Sequence, residues 1–492
     1  MGNQIDPNTQ ESSEKNATGI RKIRTQIEGL DEILHGGVPQ GRVTLVCGAP
    51  GTGKTLLGLE FLYRSAQSGH PGIFLSFEET AENIRQNTLS LGWDLPFLEK
   101  AGKLFLMEGQ LNPEVIISGE FNLTGFLSII EGKAQEMGAT RVVIDALDVL
   151  MLVFNNPRRE QQQIIGLHNW LMRHGLTAIL TAKNLKTPNT SSPYEYLDYI
   201  ADCVIYLDQR IENQVNTKRI QVVKYRGTSY GSNEYPFLIT GKGMFFNAIS
   251  DMRPNYEPPS QRVSSGSQSL DEILGGGYLK GTCVLISGAS GTGKTSIAAT
   301  FARSACEGGH KVLYVNFEES VSGMVAGMHS LGIDLGPAMH DCSLWVKPAM
   351  PESKGIEEHL YDKITAIKSF QSDHVVVDAI SACKRIAGEK LSFDFTMRLV
   401  HFCKKRGITT ILISQSRNAE EAHEVSGIGI SSIVDTIICL HYKDVGNETR
   451  RNLQVIKSRG SKHSNRRHTY ALTDDGIRFE PTQPNREAER MK

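Results

Sequence analysis

The sequence predicts an α/β fold in two tandem copies, each with a mostly parallel sheet flanked by helices. A glycine-rich segment of the form G-x-x-x-x-G-K-[ST] occurs at residues 48–55 and again at residues 288–295. Near-continuous apolar runs alternate with helical patterns in both halves, which is typical of parallel strands buried on both faces. At 492 residues, the chain has room for two such domains, each with its own core.

Both glycine-rich segments have the context of a phosphate-binding loop. An apolar run precedes each one, at residues 43–47 and 283–287, and a helical pattern follows. Such a loop presents backbone N–H groups to phosphates, while its lysine reaches the β- and γ-phosphates and the next hydroxyl ligates Mg²⁺. The predicted nucleotide-binding residues are Gly48, Pro50, Gly51, Thr52, Gly53, Lys54, Thr55 and Leu56 in the first half, and Ser290, Gly291, Thr292, Gly293, Lys294, Thr295 and Ser296 in the second.

Further motifs repeat in the same order in both halves. Two recur at an offset of 240 positions: Leu-Asp-Glu-Ile-Leu at residues 30–34 and 270–274, and Phe-Glu-Glu at residues 77–79 and 317–319. Two later ones recur at an offset of 233: (Ile/Val)-Asp-Ala at residues 144–146 and 377–379, and Lys-x-Arg-Gly at residues 224–227 and 457–460. This order indicates a duplicated domain rather than a short-period solenoid. The predicted domains are residues 23–249 and 262–480, with a disordered lead at 1–22, a linker at 250–261 and a short tail at 481–492.

Composition argues against several classes of partner. The formal net charge is −1, so no global charge attracts nucleic acid or anionic lipid. No apolar run approaches the roughly 20 residues that span a bilayer, and the N-terminus has no apolar signal core. The eight cysteines show no C-x-x-C spacing and several lie in apolar runs, which favours buried free thiols in a cytoplasmic protein.

Acidic residues follow the predicted strands at equivalent places in both halves. Asp145 and Asp378 end apolar strands, where the acid that holds Mg²⁺ usually lies, although a strand-end aspartate can also simply make a turn. The pairs Glu78 with Glu79 and Glu318 with Glu319 can orient or deprotonate a nucleophile, and adjacent acids raise each other's pKa. The alternative for the pairs is a solvated charged loop; their recurrence favours function. The predicted metal-binding residues are Thr55, Asp145, Thr295, Glu318 and Asp378.

Two further features lie late in each half. Lys224 and Arg226, with Lys457 and Arg459, are placed to reach a neighbouring subunit's γ-phosphate as an arginine finger does, or else they are outward basic residues on a strand edge. The second half also has Ser431 and Ser432 where the first has Asp198 and Tyr199. Adjacent hydroxyls near a γ-phosphate are candidate phosphoryl acceptors; taken alone, a serine that caps a helix or turn is the commoner case.

Together these motifs resemble the KaiC family, the double-domain ATPases and autokinases of the cyanobacterial circadian clock and their bacterial relatives. The resemblance covers about residues 26–480. It implies tandem RecA-like P-loop NTPase domains, a homohexamer with ATP and Mg²⁺ between subunits, slow hydrolysis in the N-terminal domain, and autophosphorylation and dephosphorylation in the C-terminal one. Carried over, Ser431 and Ser432 are the phosphosites, Glu318 is the kinase base, and Glu78 and Glu79 act on water. Ser426 lies where the family has a further hydroxyl.

The resemblance also implies partners and an output. A KaiB-like protein is expected to bind, with a histidine kinase or response regulator as a further partner, and the output is timing or stress signalling. Clock members tend to have a Ser-Thr pair and continue into a C-terminal segment gripped by KaiA. This chain has Ser-Ser and ends at Lys492, so KaiA is not expected to be a partner.

Two other classes of function share this core. A DNA-dependent ATPase of the RecA/DnaB kind would need basic DNA-binding loops and an accessory domain, and the neutral charge argues against it. A nucleotide-dependent scaffold with dead sites would not need the Lys, Thr, Asp and Glu set that is intact in both halves.

Overall fold

The chain consists of two compact units, Met1–Asp251 and Met252–Lys492. The computed structural model describes residues 19–109, 123–151, 153–154, 156–183, 195–212, 215–247, 260–415, 429–474 and 476–480. Each unit has its own sheet and its own hydrophobic clusters, and the units are called here the first and second domain.

The first domain alternates strands and helices up to its last hairpins. Its strands are β1 (Lys22–Ile23), β2 (Val38–Pro39), β3 (Val43–Gly48), β4 (Gly72–Ser76), β5 (Leu104–Glu108), β6 (Arg141–Asp145), β7 (Thr177–Lys183), β8 (Cys203–Glu212), β9 (Val215–Tyr225), β10 (Glu234–Thr240) and β11 (Gly243–Phe246). Its helices are α1 (Leu30–Ile33), α2 (Lys54–Gln67), α3 (Ala81–Leu89), α4 (Leu95–Lys100), α5 (Thr124–Met137), α6 (Leu147–Met151), α7 (Pro157–Arg173) and α8 (Glu195–Ile200).

The second domain repeats this order of elements. Its strands are β12 (Arg262–Val263), β13 (Tyr278–Leu279), β14 (Cys283–Gly288), β15 (Val312–Asn316), β16 (Leu344–Pro348), β17 (His374–Asp378), β18 (Thr409–Gln415), β19 (Thr436–Val445), β20 (Glu448–Ser458), β21 (Arg467–Thr473) and β22 (Gly476–Phe479). Its helices are α9 (Gln268–Ile273), α10 (Lys294–Glu307), α11 (Val321–His329), α12 (Gly336–His340), α13 (Ile356–Phe370) and α14 (Ser381–Lys404), with short 3₁₀ helices at Pro351–Ser353 and Ile430–Ser432.

The main sheets have the same order and the same mixture of directions. In the described residues each has nine strands, in the order β11-β10-β9-β8-β3-β7-β6-β4-β5 and β22-β21-β20-β19-β14-β18-β17-β15-β16. The six strands from β8 to β5, and from β19 to β16, are parallel, whereas the last three strands of each domain are antiparallel. The predicted α/β class, with one mostly parallel sheet in each domain, is confirmed.

Each parallel sheet is buried on both faces. Every residue of β3 is buried. Successive residues of this strand belong to different hydrophobic clusters: Val46 packs on one face of the sheet, and Leu45 and Cys47 pack on the other. This follows from the two-residue period of a strand, which points successive side chains to opposite faces. The eight cysteines are free and seven of them are buried, as the apolar runs predicted. Within the described part of the chain, no helix combines the length and hydrophobicity that a membrane crossing requires.

The parallel arrangement places the carboxyl ends of the central strands at one edge of each sheet. In the first domain this edge carries Gly48 at the end of β3, Ser76 at the end of β4 and Asp145 at the end of β6. In the second domain Gly288, Asn316 and Asp378 end the equivalent strands. Ligands of open α/β sheets bind at this edge.

Candidate active sites

The lysine of each glycine-rich loop donates hydrogen bonds to carbonyl oxygens of its own loop. The Lys54 amine donates to the carbonyl oxygens of Gly48 at 2.9 Å and Ala49 at 3.1 Å. The Lys294 amine donates to Ala289 at 2.7 Å, and burial lowers the pKa of Lys294. Gly53 precedes α2 with φ 100°, a left-handed conformation that favours glycine, and α2 begins at Lys54. The loop therefore brings a lysine and a helix N-terminus to one place, which suits a phosphate.

The first predicted metal site is assembled by Asp145. Its carboxylate is 1% exposed and accepts a hydrogen bond from Thr55 Oγ1 at 2.9 Å and another from Thr181 Oγ1 on β7. Burial raises the pKa of Asp145, and the two hydroxyl bonds oppose that shift. Hydroxyl and carboxylate oxygens are ligands that Mg²⁺ prefers, with phosphate oxygens and water filling the other positions. These residues therefore fit Mg²⁺ bound with a nucleotide.

Asp378 has the same place in the second domain, and one of its two hydrogen-bond donors is different. Its carboxylate is 5% exposed and accepts hydrogen bonds from Thr295 and from the Tyr314 hydroxyl, the latter at 2.8 Å. Burial raises the pKa of Asp378 to about 6, so the carboxylate is mostly ionised at neutral pH. Neither Thr181 nor Tyr314 is among the site residues predicted from the sequence. A hydroxyl within an otherwise aliphatic buried strand was the signal that could have found them.

The acidic pair of the first domain opens into a cleft of about 380 Å³ that is also lined by Lys54, Thr55 and Asp148. Burial raises the pKa of Glu78, and the charges of Asp145 and Asp148 raise it further against the opposing effect of Lys54. Glu79 adds a smaller contribution, so the predicted mutual effect of the pair is a minor cause here.

Glu79 itself is anchored at two points. Its backbone N–H donates to Ser76 Oγ at 2.9 Å, and its carboxylate accepts from Asn87 Nδ2 on α3 at 3.0 Å.

The acidic pair of the second domain is held by the side chain of Asn316, the last residue of β15. The backbone N–H groups of Glu318 and Glu319 both donate to Asn316 Oδ1, at 2.9 and 3.0 Å. The position of Asn87 is Gly327 in this domain, which has no side chain to hold Glu319. The loop is therefore fixed through its backbone.

The four late cations lie away from the phosphate loop of their own domain. Lys224 and Arg226 donate to the carbonyl oxygens of residues 198 and 199, which come just before β8 in the chain. Lys457 pairs across the sheet with Ile437, which is level with Leu285 near the start of β14. The phosphate loop begins at the other end of β14, after Gly288, about 10 Å further along the strand. Within a single chain, the predicted finger residues are thus not brought to the phosphate site.

The two serines lie with these cations. Ser431 is half-buried and Ser432 is exposed, both in the 3₁₀ helix before β19. The Ser431 carbonyl accepts from Lys457 Nζ at 2.9 Å, and the Ser432 carbonyl accepts from Arg459 Nη2 at 3.0 Å. The phosphate loops, glutamate pairs and aspartates therefore gather at one edge of each sheet, while the serines and late cations gather at the other. Ser426 lies outside the described residues.

A second pair of cations lies beside the phosphate loops. Lys218 on β9 donates to the Gly51 carbonyl at 2.6 Å, and Arg451 on β20 donates to the Gly291 carbonyl at 3.2 Å. Neither residue is among those predicted from the sequence, although the two recur at the same offset of 233 positions as the Lys-x-Arg-Gly motif. Their contacts place one positive charge against each loop from within the same domain.

The fold and the sites together define a tandem RecA-like ATPase. A family model described as "ATPase: KaiC" matches residues 23–249 and 263–483. "Circadian clock protein KaiC2" of Synechocystis sp. is 36% identical over 460 residues, 93% of this chain and 81% of that protein. "Circadian clock oscillator protein KaiC" of Acaryochloris marina is 33% identical over 466 residues, 94% and 89% of the two chains. The same-named protein of Synechococcus elongatus is 33% identical over 459 residues, 93% and 88%.

The chain belongs to the KaiC family of ATPases. The predicted family membership is therefore confirmed, and with it an ATP-hydrolysing enzyme.

Proposed function

We propose that this chain is a hexameric ATPase and serine autokinase with autophosphatase activity. In this proposal the first domain transfers the γ-phosphoryl group of ATP to water, and the second transfers it to Ser431 and Ser432 of a neighbouring copy. The observation that carries the proposal is the separation of acceptor and donor within one domain. Ser431 and Ser432 precede β19, whereas Lys294 follows β14 at the opposite edge of the same sheet. A second copy has to supply the acceptor.

In the first domain, the loop and Lys54 would hold the phosphates of bound ATP, and Thr55 and Asp145 would hold Mg²⁺. Bound Mg²⁺ would neutralise charge on the β- and γ-phosphates. Glu78 acts as the base, because burial and neighbouring carboxylates raise its pKa toward the range in which a carboxylate accepts a proton efficiently. Glu79, held by Asn87 and the Ser76 hydroxyl, orients the water that Glu78 deprotonates.

In the second domain, Glu318 accepts the proton of the serine hydroxyl. The serine Oγ then forms a bond to the γ-phosphorus as the bond from that phosphorus to the β–γ bridging oxygen breaks, and ADP leaves. Lys457 and Arg459 hold the backbone of the acceptor segment, so they would arrive with it at the neighbour's phosphates. Their positive charges would stabilise the transition state there.

The wider role is a timing or signalling hub in the cytoplasm. The names of the relatives tie them to the circadian clock, and the matches cover 81% and 89% of the length of two of them and both copies of the family domain in this chain. A KaiB-like protein and a histidine kinase or response regulator are the proposed partners. Each phosphate on Ser431 or Ser432 adds about −1.5 to −2 charge next to a segment held by two cations, which a partner can recognise.

The test is incubation of the pure full chain with γ-labelled ATP and Mg²⁺, followed by phosphosite mapping. We expect label on Ser431 and Ser432 in the wild type and none in Ser431→Ala/Ser432→Ala, which should still release phosphate. Label that persists in the double variant, or an unlabelled wild type, would falsify the autokinase and leave an ATPase. Stimulation by single-stranded DNA would instead support a DNA-dependent motor.

A further inference from the structure

The carboxylates of the two metal sites are held by hydroxyls that come from opposite sides. In the first domain Thr181 reaches Asp145 from β7, on one side of β6. In the second domain Tyr314 reaches Asp378 from β15, on the other side of β17. Both donors are fully buried.

The position that carries the hydroxyl donor in one domain carries a hydrocarbon side chain in the other. The position of Tyr314 is Phe74 in the first domain, and the position of Thr181 is Ile413 in the second. Phe74 and Ile413 are also fully buried and carry no polar atom. Each domain therefore places a hydroxyl at one of the two positions and a hydrocarbon at the other.

A buried carboxylate gains orientation from such a bond. Burial disfavours the ionised form, and a hydroxyl donor restores part of the lost solvation while fixing the rotation of the carboxyl group. A phenol is ordinarily protonated at neutral pH, so Tyr314 can donate this bond to the Asp378 carboxylate. Partners of this kind around metal ligands are worth about 10–100-fold in metal affinity.

We propose that Thr181 and Tyr314 are equivalent positioning residues. Thr181 orients Asp145, and Tyr314 orients Asp378, toward the metal ion that each aspartate would bind together with the threonine of its own phosphate loop. The proposal rests on the proposed function in taking these aspartates as the Mg²⁺ carboxylates. The two hydroxyls also link the metal-binding aspartates to different strands. Tyr314 lies on the strand that leads into Glu318, so in the second domain the metal carboxylate is tied to the strand of the kinase base. In the first domain Asp145 is tied instead to β7, which ends at Lys183 in the cleft.

The experiment measures Mn²⁺ binding by electron paramagnetic resonance in the full chain with a non-hydrolysable ATP analogue. All variants also carry Lys54→Ala, which removes the lysine of the first-domain phosphate loop, so that the nucleotide analogue binds in the second domain. We expect Tyr314→Phe to weaken Mn²⁺ binding about 10–100-fold. Adding Ile413→Thr, which moves the hydroxyl to the first-domain position, should restore most of the affinity. A merely structural role of Tyr314 would not be rescued from the opposite strand.

The reciprocal pair keeps the proposal testable if either second-domain variant misfolds. In a Lys294→Ala background, Thr181→Ile should weaken Mn²⁺ binding, and the addition of Phe74→Tyr should restore it. Unchanged Mn²⁺ affinity in the single variants, or a loss that the transplanted hydroxyl does not recover, overturns this inference alone. A parent protein that binds no Mn²⁺ with the nucleotide analogue overturns the proposed metal site as well.

Discussion

The two domains share their phosphate loops closely and differ around their acids. Both have the lysine that donates to loop carbonyls and the strand-end aspartate in contact with a loop threonine. The side chains that surround the carboxylates differ at the strand ends, Ser76 and Asn316, and at five further positions. First-domain and second-domain residues at these positions are Phe74 and Tyr314, Asn87 and Gly327, Asp148 and Ser381, Thr181 and Ile413, and Lys183 and Gln415.

Under the proposed function, this difference separates the residues that bind phosphate from the residues that select the phosphoryl acceptor. Binding of phosphates and Mg²⁺ depends on the loop, which is retained in both domains. In the first domain Glu78 lies among negative charges and Glu79 is held by an amide, an arrangement suited to a small fixed nucleophile such as water. The second domain has Ser381 and Gly327 in place of Asp148 and Asn87, and under the proposed function these smaller residues leave room for a serine segment.

The largest expected effect comes from removing the acids of one domain at a time. Glu78→Gln/Glu79→Gln should lower steady-state hydrolysis by about 10²–10⁴-fold in the first domain, because the shape stays but the base is lost. The matched control is Glu318→Gln/Glu319→Gln, which should keep most hydrolysis and lose phosphorylation of the serines. Phosphate release and phosphosite mapping on the same samples provide the two measurements. Equal losses of hydrolysis in both variants would contradict the division of labour.

The sequence predicted the shared part of the molecule better than the divergent part. The loops, the strand-end aspartates and the glutamate pairs are local motifs, and a parallel sheet necessarily brings their strand ends to one edge. The contacts of Tyr314, Thr181 and Asn87 depend on which strand or helix lies beside which acid, and local spacing does not encode that order. The late cations were predicted as fingers from their position in the chain; their contacts with the serine segment required the antiparallel register of β19 and β20.

A smaller effect is expected in the pH dependence of hydrolysis. Asp148 raises the pKa of Glu78, so Asp148→Ser should lower it, since a nearby negative charge favours the protonated carboxyl. Glu78 acts as a base when deprotonated, and the acid limb of the rate profile should therefore move to lower pH. Serine keeps an acceptor for the backbone N–H of Lys183, as Ser381 does for Gln415. Asp148→Glu is the charge-retaining control, and an acid limb that stays in place in Asp148→Ser would remove Glu78 from the role of base.

The smallest effect is expected from the amide that holds Glu79. Asn87→Ala should slow hydrolysis about two- to tenfold, the consequence of losing one hydrogen bond of about 0.5–1.5 kcal/mol. The reciprocal change is Gly327→Asn, where an added Cβ meets no atom within 4 Å. It should restrain Glu319 and reduce serine phosphorylation while leaving first-domain hydrolysis unchanged. Single-turnover rates of both reactions measure this, and a wild-type rate in Asn87→Ala would show that Glu79 needs no such anchor.

The claim that acceptor and phosphate come from different copies is tested most directly by mixing two inactive variants. Lys294→Ala retains Ser431 and Ser432 but loses the lysine of its own second-domain site. Ser431→Ala/Ser432→Ala retains that lysine but has no acceptor. The two chains, distinguished by mass, are mixed without nucleotide and then given γ-labelled ATP and Mg²⁺. We predict label on Ser431 and Ser432 of the Lys294→Ala chain in the mixture, and none in either variant alone. A labelled wild type alongside an unlabelled mixture would contradict transfer between copies.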